Sequence, residues 1–313
     1  MAMKPQLVDL LQAMKALGLK PMHTLSPVDA RIQMTETAKA RNVAVIEVGS
    51  VEDSAIPGPA GDLPVRIYRP EGTGGKLGAL VYYHGGGHVI GSLDSHDGAC
   101  RAICKEAGIL VLSVDYRMGP EAKFPAAVDD CYAATKWLSD NAESMGIRAD
   151  KIAVGGDSAG GNLALVIALM ARDSGDDLSI AFQLLVYPVM DYAGGTPTYE
   201  TYGKGYGPLM ADSIPWFREH YLTSDEDLKD WRASPARAET FAGLPKTLLI
   251  TAECDILAHE GQACGQRLLA DGVDCEHVDF EGMIHAFFSM APMLDDSIAA
   301  QSLAADRLKA ALS

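Results

Sequence analysis

Gly156-Asp157-Ser158-Ala159-Gly160 sets a serine between glycines, after the apolar run 151–154 and before the apolar helical stretch 161–172. A G-x-S-x-G at a strand-to-helix turn is a nucleophile elbow. The strained turn lifts the hydroxyl above the sheet, and small residues let strand and helix approach each other. The helix N-terminus aims unpaired N–H groups at the reacting centre. A serine hydroxyl needs a base, and the base needs an acid to orient it, in the chain order Ser, acid, His. Three histidines follow the run 246–251: His259, His277 and His285. His277 falls inside a strand and His259 at a helix start, where a surface role is expected. His285 follows the last strand at the same sheet edge as Ser158, and is the preferred base. Asp255, at the end of another strand, is the preferred acid, with Glu253 its main competitor. Three glycines in His84-Gly85-Gly86-Gly87-His88 free the backbone to turn N–H groups toward a developing negative charge. The expected oxyanion donors are the amides of Gly86, Gly87 and Ala159.

The elements that must position these residues are legible as an alternation. Short apolar runs at 78–83, 108–114, 151–154, 181–187 and 246–251 suit strands buried on both faces. Helical spacing fills about 94–107, 126–144, 159–173 and 257–270. A last strand, Cys275–Phe280, precedes a helix over 294–311. Val43, Val45 and Val48 are expected to begin an early strand, and 64–69 alternates like an antiparallel one. This pattern predicts an α/β sheet with helices on both faces. Two regions break it: helices over 5–18 and 27–40, and a Gly-, Pro-, Tyr- and Trp-rich stretch at 190–240. We divide the chain into cap (1–42), core (43–189), second cap part (190–240) and second core part (241–313). The Met and aromatic residues of 187–221 are expected to wall an acyl pocket. His88, Tyr187, Ile256 and Ile284 are expected to touch substrate.

The chain has 313 residues, enough to bury about three quarters of its extended surface without disulfides or metal. A net charge of −16 argues against nucleic acid or an anionic membrane as partner. No apolar run reaches the ~18 residues of a spanning helix, and the N-terminal stretch lacks a signal-peptide pattern. The six cysteines show no C-x-x-C pair, which favours reduced thiols and a cytoplasmic setting. Other motifs are incomplete. Gly203-Lys204-Gly205 lacks the Ser or Thr of a phosphate loop, and 85–91 misses the G-x-G-x-x-G spacing. His259-Glu260 begins a zinc H-E-x-x-H, but Ala263 stands in the fifth place. Cys100 and Cys104 share a helix face without nearby histidines at ligand spacing. No metal or cofactor is expected.

The chain resembles the bacterial hormone-sensitive-lipase-like esterases, a branch of the α/β-hydrolases. The resemblance rests on HGGG at 84–87, DYRMGPEAKFPAAVDD at 115–130, GDSAGG at 156–161, YP at 187–188, TAECDIL at 251–257 and His285. It covers nearly the whole chain from residue 43, and the first 40 residues resemble the family's N-terminal cap. It implies an eight-stranded, mostly parallel sheet with one antiparallel strand near its start, and a two-part helical cap. It also implies metal-independent hydrolysis of small esters with short to medium acyl chains, and frequent homodimers. The family's nucleophile, acid and base fall on Ser158, Asp255 and His285, its oxyanion donors on Gly86, Gly87 and Ala159. His88 departs from the aromatic residue that many members carry after HGGG. Two rival readings use the same residues differently: an amidase or O-deacetylase acting on a larger metabolite, and a non-catalytic binding module. An intact Ser158, Asp255 and His285 argues against the second.

Overall fold

Apolar runs without polar alternation must bury both faces, and here they do so in one sheet. The computed structural model describes residues 3–41, 45–72 and 74–313. Eight strands run β1 (Ser50–Gly58), β2 (Gly61–Arg69), β3 (Leu77–Tyr83), β4 (Leu110–Val114), β5 (Ile147–Asp157), β6 (Phe182–Val186), β7 (Lys246–Cys254) and β8 (Cys275–Ile284). Their order across the sheet is β1-β2-β4-β3-β5-β6-β7-β8. β2 is antiparallel to both of its neighbours, and the pairs from β4 to β8 are parallel. Alternate residues along each strand feed two hydrophobic clusters. Val81, Leu112, Val154 and Leu249 pack with α4 (Ala126–Asp140), α5 (Ala159–Asp173) and α8 (Ala258–Ala270). Leu80, Val111, Ala153 and Leu248 pack on the other face with α3 (Asp97–Ala107) and α9 (Asp295–Leu312). The parallel strands end at one edge, so the loops after β3, β5, β7 and β8 share it.

β1 begins later than its valines suggest. Val43 lies outside the described residues, Val45 is exposed, and the strand starts at Ser50. Only Ile56 of β1 is buried. Pairing with β2 through the tight turn between Gly58 and Gly61 makes this edge strand, and apolar periodicity does not report such pairing. β5 and β8 also outrun their apolar cores, to Ile147–Asp157 and Cys275–Ile284.

The N-terminal helices are α1 (Pro5–Ala16) and α2 (Pro27–Arg41). Pro5 opens α1, where its missing N–H costs nothing. Leu7 and Leu10 bury into the cluster that holds Phe287, Phe288 and Met290. Arg31 fastens α2 to the core: its guanidinium donates to the carbonyls of Val89 (2.8 Å) and Gly119 (2.7 Å) and pairs with Glu121. The 190–240 stretch carries the short helices α6 (Pro197–Tyr202) and α7 (Ser213–Tyr221). The domain boundary expected after residue 42 lies outside the described residues.

Candidate active site

Ser158 is the residue between β5 and α5. Its backbone sits at φ 57°, ψ −115°, a region that costs a non-glycine residue of order 1–3 kcal/mol. The surroundings hold it there. Its N–H donates to the Val186 carbonyl at 2.8 Å, and its carbonyl accepts from Val189 at 3.2 Å. The glycines on either side are required by close approach. A Cβ on Gly156 or Gly160 would fall 2.2 or 1.8 Å from the Tyr83 carbonyl oxygen. The elbow therefore packs against the end of β3, the strand that leads into the glycine loop.

His285 follows β8 directly, and Asp255 follows β7 directly. The His285 Nδ1 lies 2.6 Å from Asp255 Oδ2, and its Nε2 lies 2.9 Å from Ser158 Oγ. A carboxylate only accepts, so Nδ1 carries the proton and Nε2 is left to accept from the serine hydroxyl. The other Asp255 oxygen accepts the Leu257 N–H at 3.0 Å. All three side chains are buried, with Ser158 and His285 each 6% exposed. The alternatives are engaged elsewhere. Glu253 accepts the Gly282 N–H at 2.7 Å, His277 meets the Thr251 hydroxyl at 2.8 Å, and His259 is exposed.

The glycine loop faces the same space. Gly86 (φ 122°) and Gly87 (φ 62°) line the cavity over Ser158. A side chain on Gly86 would strike the Ile90 carbonyl, and one on Gly87 the ring of Phe217. Ala159 opens α5, so its N–H is among those with no intrahelical acceptor. The Asp157 carboxylate ties elbow to loop. It accepts from Tyr82 (2.8 Å) and from the Gly85 N–H (3.1 Å), and lies 3.3 Å from His96 Nε2. Burial would raise the Asp157 pKa, but His96 and the Tyr82 hydroxyl outweigh it and hold the carboxyl at about 2. His84 stacks on Tyr116, whose hydroxyl donates to the His84 carbonyl at 2.7 Å. Burial drives both His84 and His88 down to about 3, so both are neutral.

A cavity of about 490 Å³ opens above Ser158 and His285. Its walls come from α1 and α2 (Leu11, Met14, Met34), the 190–240 stretch (Leu209, Ile214, Phe217) and Met290. The expected pocket residues outside the triad are placed differently. His88 is buried behind the loop, 2.6 Å from the Tyr192 hydroxyl and stacked on Tyr221, and does not line the cavity. Its φ of 60° turns the ring inward, a conformation no sequence pattern announces. Tyr187, Ile256 and Ile284 are buried and do not line the cavity, and the Tyr187 ring lies 4.7 Å from that of His285. The residues that do face the cavity from α1 and α2 were not singled out by sequence. Their signal is a run of half-buried methionines and leucines at helical spacing, indistinguishable from ordinary packing. A second groove of about 540 Å³ lies around Arg66, which is paired there with Asp53, Asp94 and Asp97.

Residues 80–289 match the model of a family described by its α/β-hydrolase fold. The chain belongs to the α/β-hydrolase family. This α/β-hydrolase is 40% identical over 291 residues to the carboxylic ester hydrolase LipN of Mycobacterium tuberculosis, covering 91% of this chain and 77% of that one. It is 35% identical to the ethyl acetate hydrolase of Pseudomonas putida, over 95% of each chain. Among solved structures, a hyperthermophilic esterase from Pyrobaculum calidifontis superposes with a TM-score of 0.92 at 39% identity, covering all of both chains. These likenesses agree with the hormone-sensitive-lipase-like esterase branch. No helix among the described residues is long and apolar enough to cross a membrane. No group of three or more His, Cys, Asp or Glu side chains among them could hold a metal ion.

Proposed function

We propose that this carboxylesterase hydrolyses short- to medium-chain acyl esters through a covalent acyl-enzyme on Ser158. The carrying observation is the line Asp255–His285–Ser158, at 2.6 and 2.9 Å, opening onto an apolar cavity. Ser158 Oγ bonds to the ester carbonyl carbon as His285 Nε2 takes its proton. The amides of Gly86, Gly87 and Ala159 receive the oxyanion. The carbon–oxygen bond to the alcohol breaks, and His285 returns the proton to the departing alkoxide. Water, activated by the same imidazole, then releases the acid. Asp255 holds the tautomer and stabilises the imidazolium. Residues 1–42 and 190–240 act together as the cap that shapes the acyl site, and the apolar walls support a preference for apolar acyl chains. His88, Tyr187, Ile256 and Ile284 shape the site from behind. The cited relatives carry ester-hydrolase names, which does not favour the amide or O-acetyl alternative. We place the protein in the cytoplasm, supported by six free cysteines of which five are buried. A homodimer is supported by the family resemblance, and sedimentation tests it.

The experiment is a p-nitrophenyl ester series from acetate to palmitate, with Ser158→Ala as control. Short esters should be cleaved, the longest should not, and the variant should lose about a millionfold in kcat while remaining folded. A folded wild type inert toward every ester, or an active Ser158→Ala, overturns the reading.

A further inference from the structure

Glu260 sits in the first turn of α8, five residues past Asp255, and is 6% exposed. Its Oε2 accepts the N–H of Met190 at 2.8 Å and of Asp191 at 3.1 Å. Those amides directly follow the turn that braces the elbow. Within that turn the Val189 N–H reaches the Ser158 carbonyl, and the Tyr187 N–H donates to Ile250 in β7. The Tyr187 ring also packs on His285. One side chain therefore joins the backbone that carries Asp255 to the backbone behind Ser158, across 70 residues of sequence.

The second carboxyl oxygen is the informative one. Oε1 is buried and has no hydrogen-bond partner among the described residues. An anion would leave half a charge there without a donor, whereas in the uncharged acid Oε1 carries the proton as a neutral hydroxyl, which costs less to bury. Among the described residues, the groups that act on it supply no cation. Asp255 lies in the loop before α8. Asp191, in the following turn, is already paired with Arg237. Tyr192, Tyr199 and Cys264 complete the surroundings, and His259 beside it is exposed. Burial raises the Glu260 pKa to about 8, against the two amides and with the help of Asp255 and Asp191.

We propose that Glu260 is a positioning residue for the candidate triad, clamping the 187–191 turn to the Asp255 loop as an uncharged acid. The inference rests on the triad reading given above. Its pH signature follows from linkage. An ordinary glutamic acid loses its proton near 4.5, whereas the folded Glu260 keeps it up to about 8. The folded state thus holds one more proton than the unfolded state across that window, and stability declines as pH rises through it.

Two variants test this. Glu260→Gln keeps a carbonyl oxygen for both amides but cannot ionise. Glu260→Ala removes the clamp. Melting temperatures of wild type and Glu260→Gln, taken from about pH 5 to about pH 9, should diverge in favour of the variant as pH rises. Parallel curves would overturn the uncharged acid, and this readout stands even where Glu260→Ala fails to fold. Folded Glu260→Ala should lose about tenfold to a hundredfold in kcat with KM little changed, and Glu260→Gln should restore most of it. A wild-type kcat in Glu260→Ala would overturn the positioning role. Ser158→Ala, assayed alongside, separates the two readings. If it is dead and Glu260→Ala is fully active, only this inference falls. If it is active, the triad reading itself falls.

Discussion

The 84–91 loop and the 190–240 stretch both face the cavity, but different forces hold them. The loop is fixed by its backbone. Gly86, Gly87, His88 and Gly91 all have positive φ, and the Gly86 carbonyl accepts two amides, from Val89 and Ile90. Its flanks are tied by the Tyr116 hydroxyl, by the Asp157 carboxylate and by the Gly119 N–H, which reaches the His88 carbonyl. Almost no substitution fits such geometry, so the loop is written as a short motif. The 190–240 stretch is instead held by packing. Leu209, Ile214, Phe217 and Tyr221 join the main hydrophobic cluster, and side-chain hydrogen bonds from the core pin its backbone at a few points. Asn162 donates to the Ala233 carbonyl and to that of Val189 just before the stretch, and Lys123 to those of Glu219 and Leu222. Apolar contact accepts many residues of similar volume and leaves no motif. The lesson is a division of labour: backbone-fixed loops hold the candidate reacting groups, and packed segments wall the cavity above them.

That division is breakable at several points. Beyond Ser158 itself, the largest effect is expected in the loop after β7, which carries Asp255. Asp255→Asn keeps the shape but favours the wrong imidazole tautomer, and kcat should fall about 10⁴-fold with KM little changed. Steady-state kinetics checks it, and a loss of only a few fold would detach Asp255 from the chemistry. The packed side should respond in selectivity. Phe217 rests against Gly87 and lines the cavity. Phe217→Ala should shift the ratio of kcat/KM for octanoate over acetate about tenfold, measured on the same ester series. An equal fall on both esters would make Phe217 a support of the loop instead.

The smallest effect is on acid stability. His84 and His88, pushed by burial from an ordinary 6.5 to about 3, stay neutral in the folded state while the unfolded chain takes up protons. Their stabilisation is complete above pH 6.5 and is lost as pH falls toward 3. Two such groups steepen the loss by up to about 2.7 kcal/mol per pH unit. His88→Phe should remove half of that slope in urea unfolding between about pH 6 and about pH 4. An unchanged slope would place the acid sensitivity elsewhere.

The same contrast explains what the sequence makes legible. Ser158, the 84–88 glycines, Asp255 and His285 stand in patterns that only a few backbone shapes allow, and their strands are uninterrupted apolar runs. The edge strand β1 depends on pairing with β2, which a single-strand pattern cannot carry. His88 reads as a pocket residue because it follows the glycines, yet its positive φ sends the ring inward to Tyr192 and Tyr221. Glu260 reads as a fragment of a failed zinc motif. Its meaning comes from two amides 70 residues away. The cavity methionines of α1 and α2 look like any amphipathic helix face until the helices dock.

If acyl transfer passes through Ser158, covalent trapping will find the acyl-like adduct there. Wild type and Ser158→Ala would be treated with an alkyl phosphonate ester, digested, and mapped by mass spectrometry. One stoichiometric adduct is expected, on the peptide containing Ser158, and none in the variant. An adduct on another residue, or equal labelling of Ser158→Ala, would contradict it.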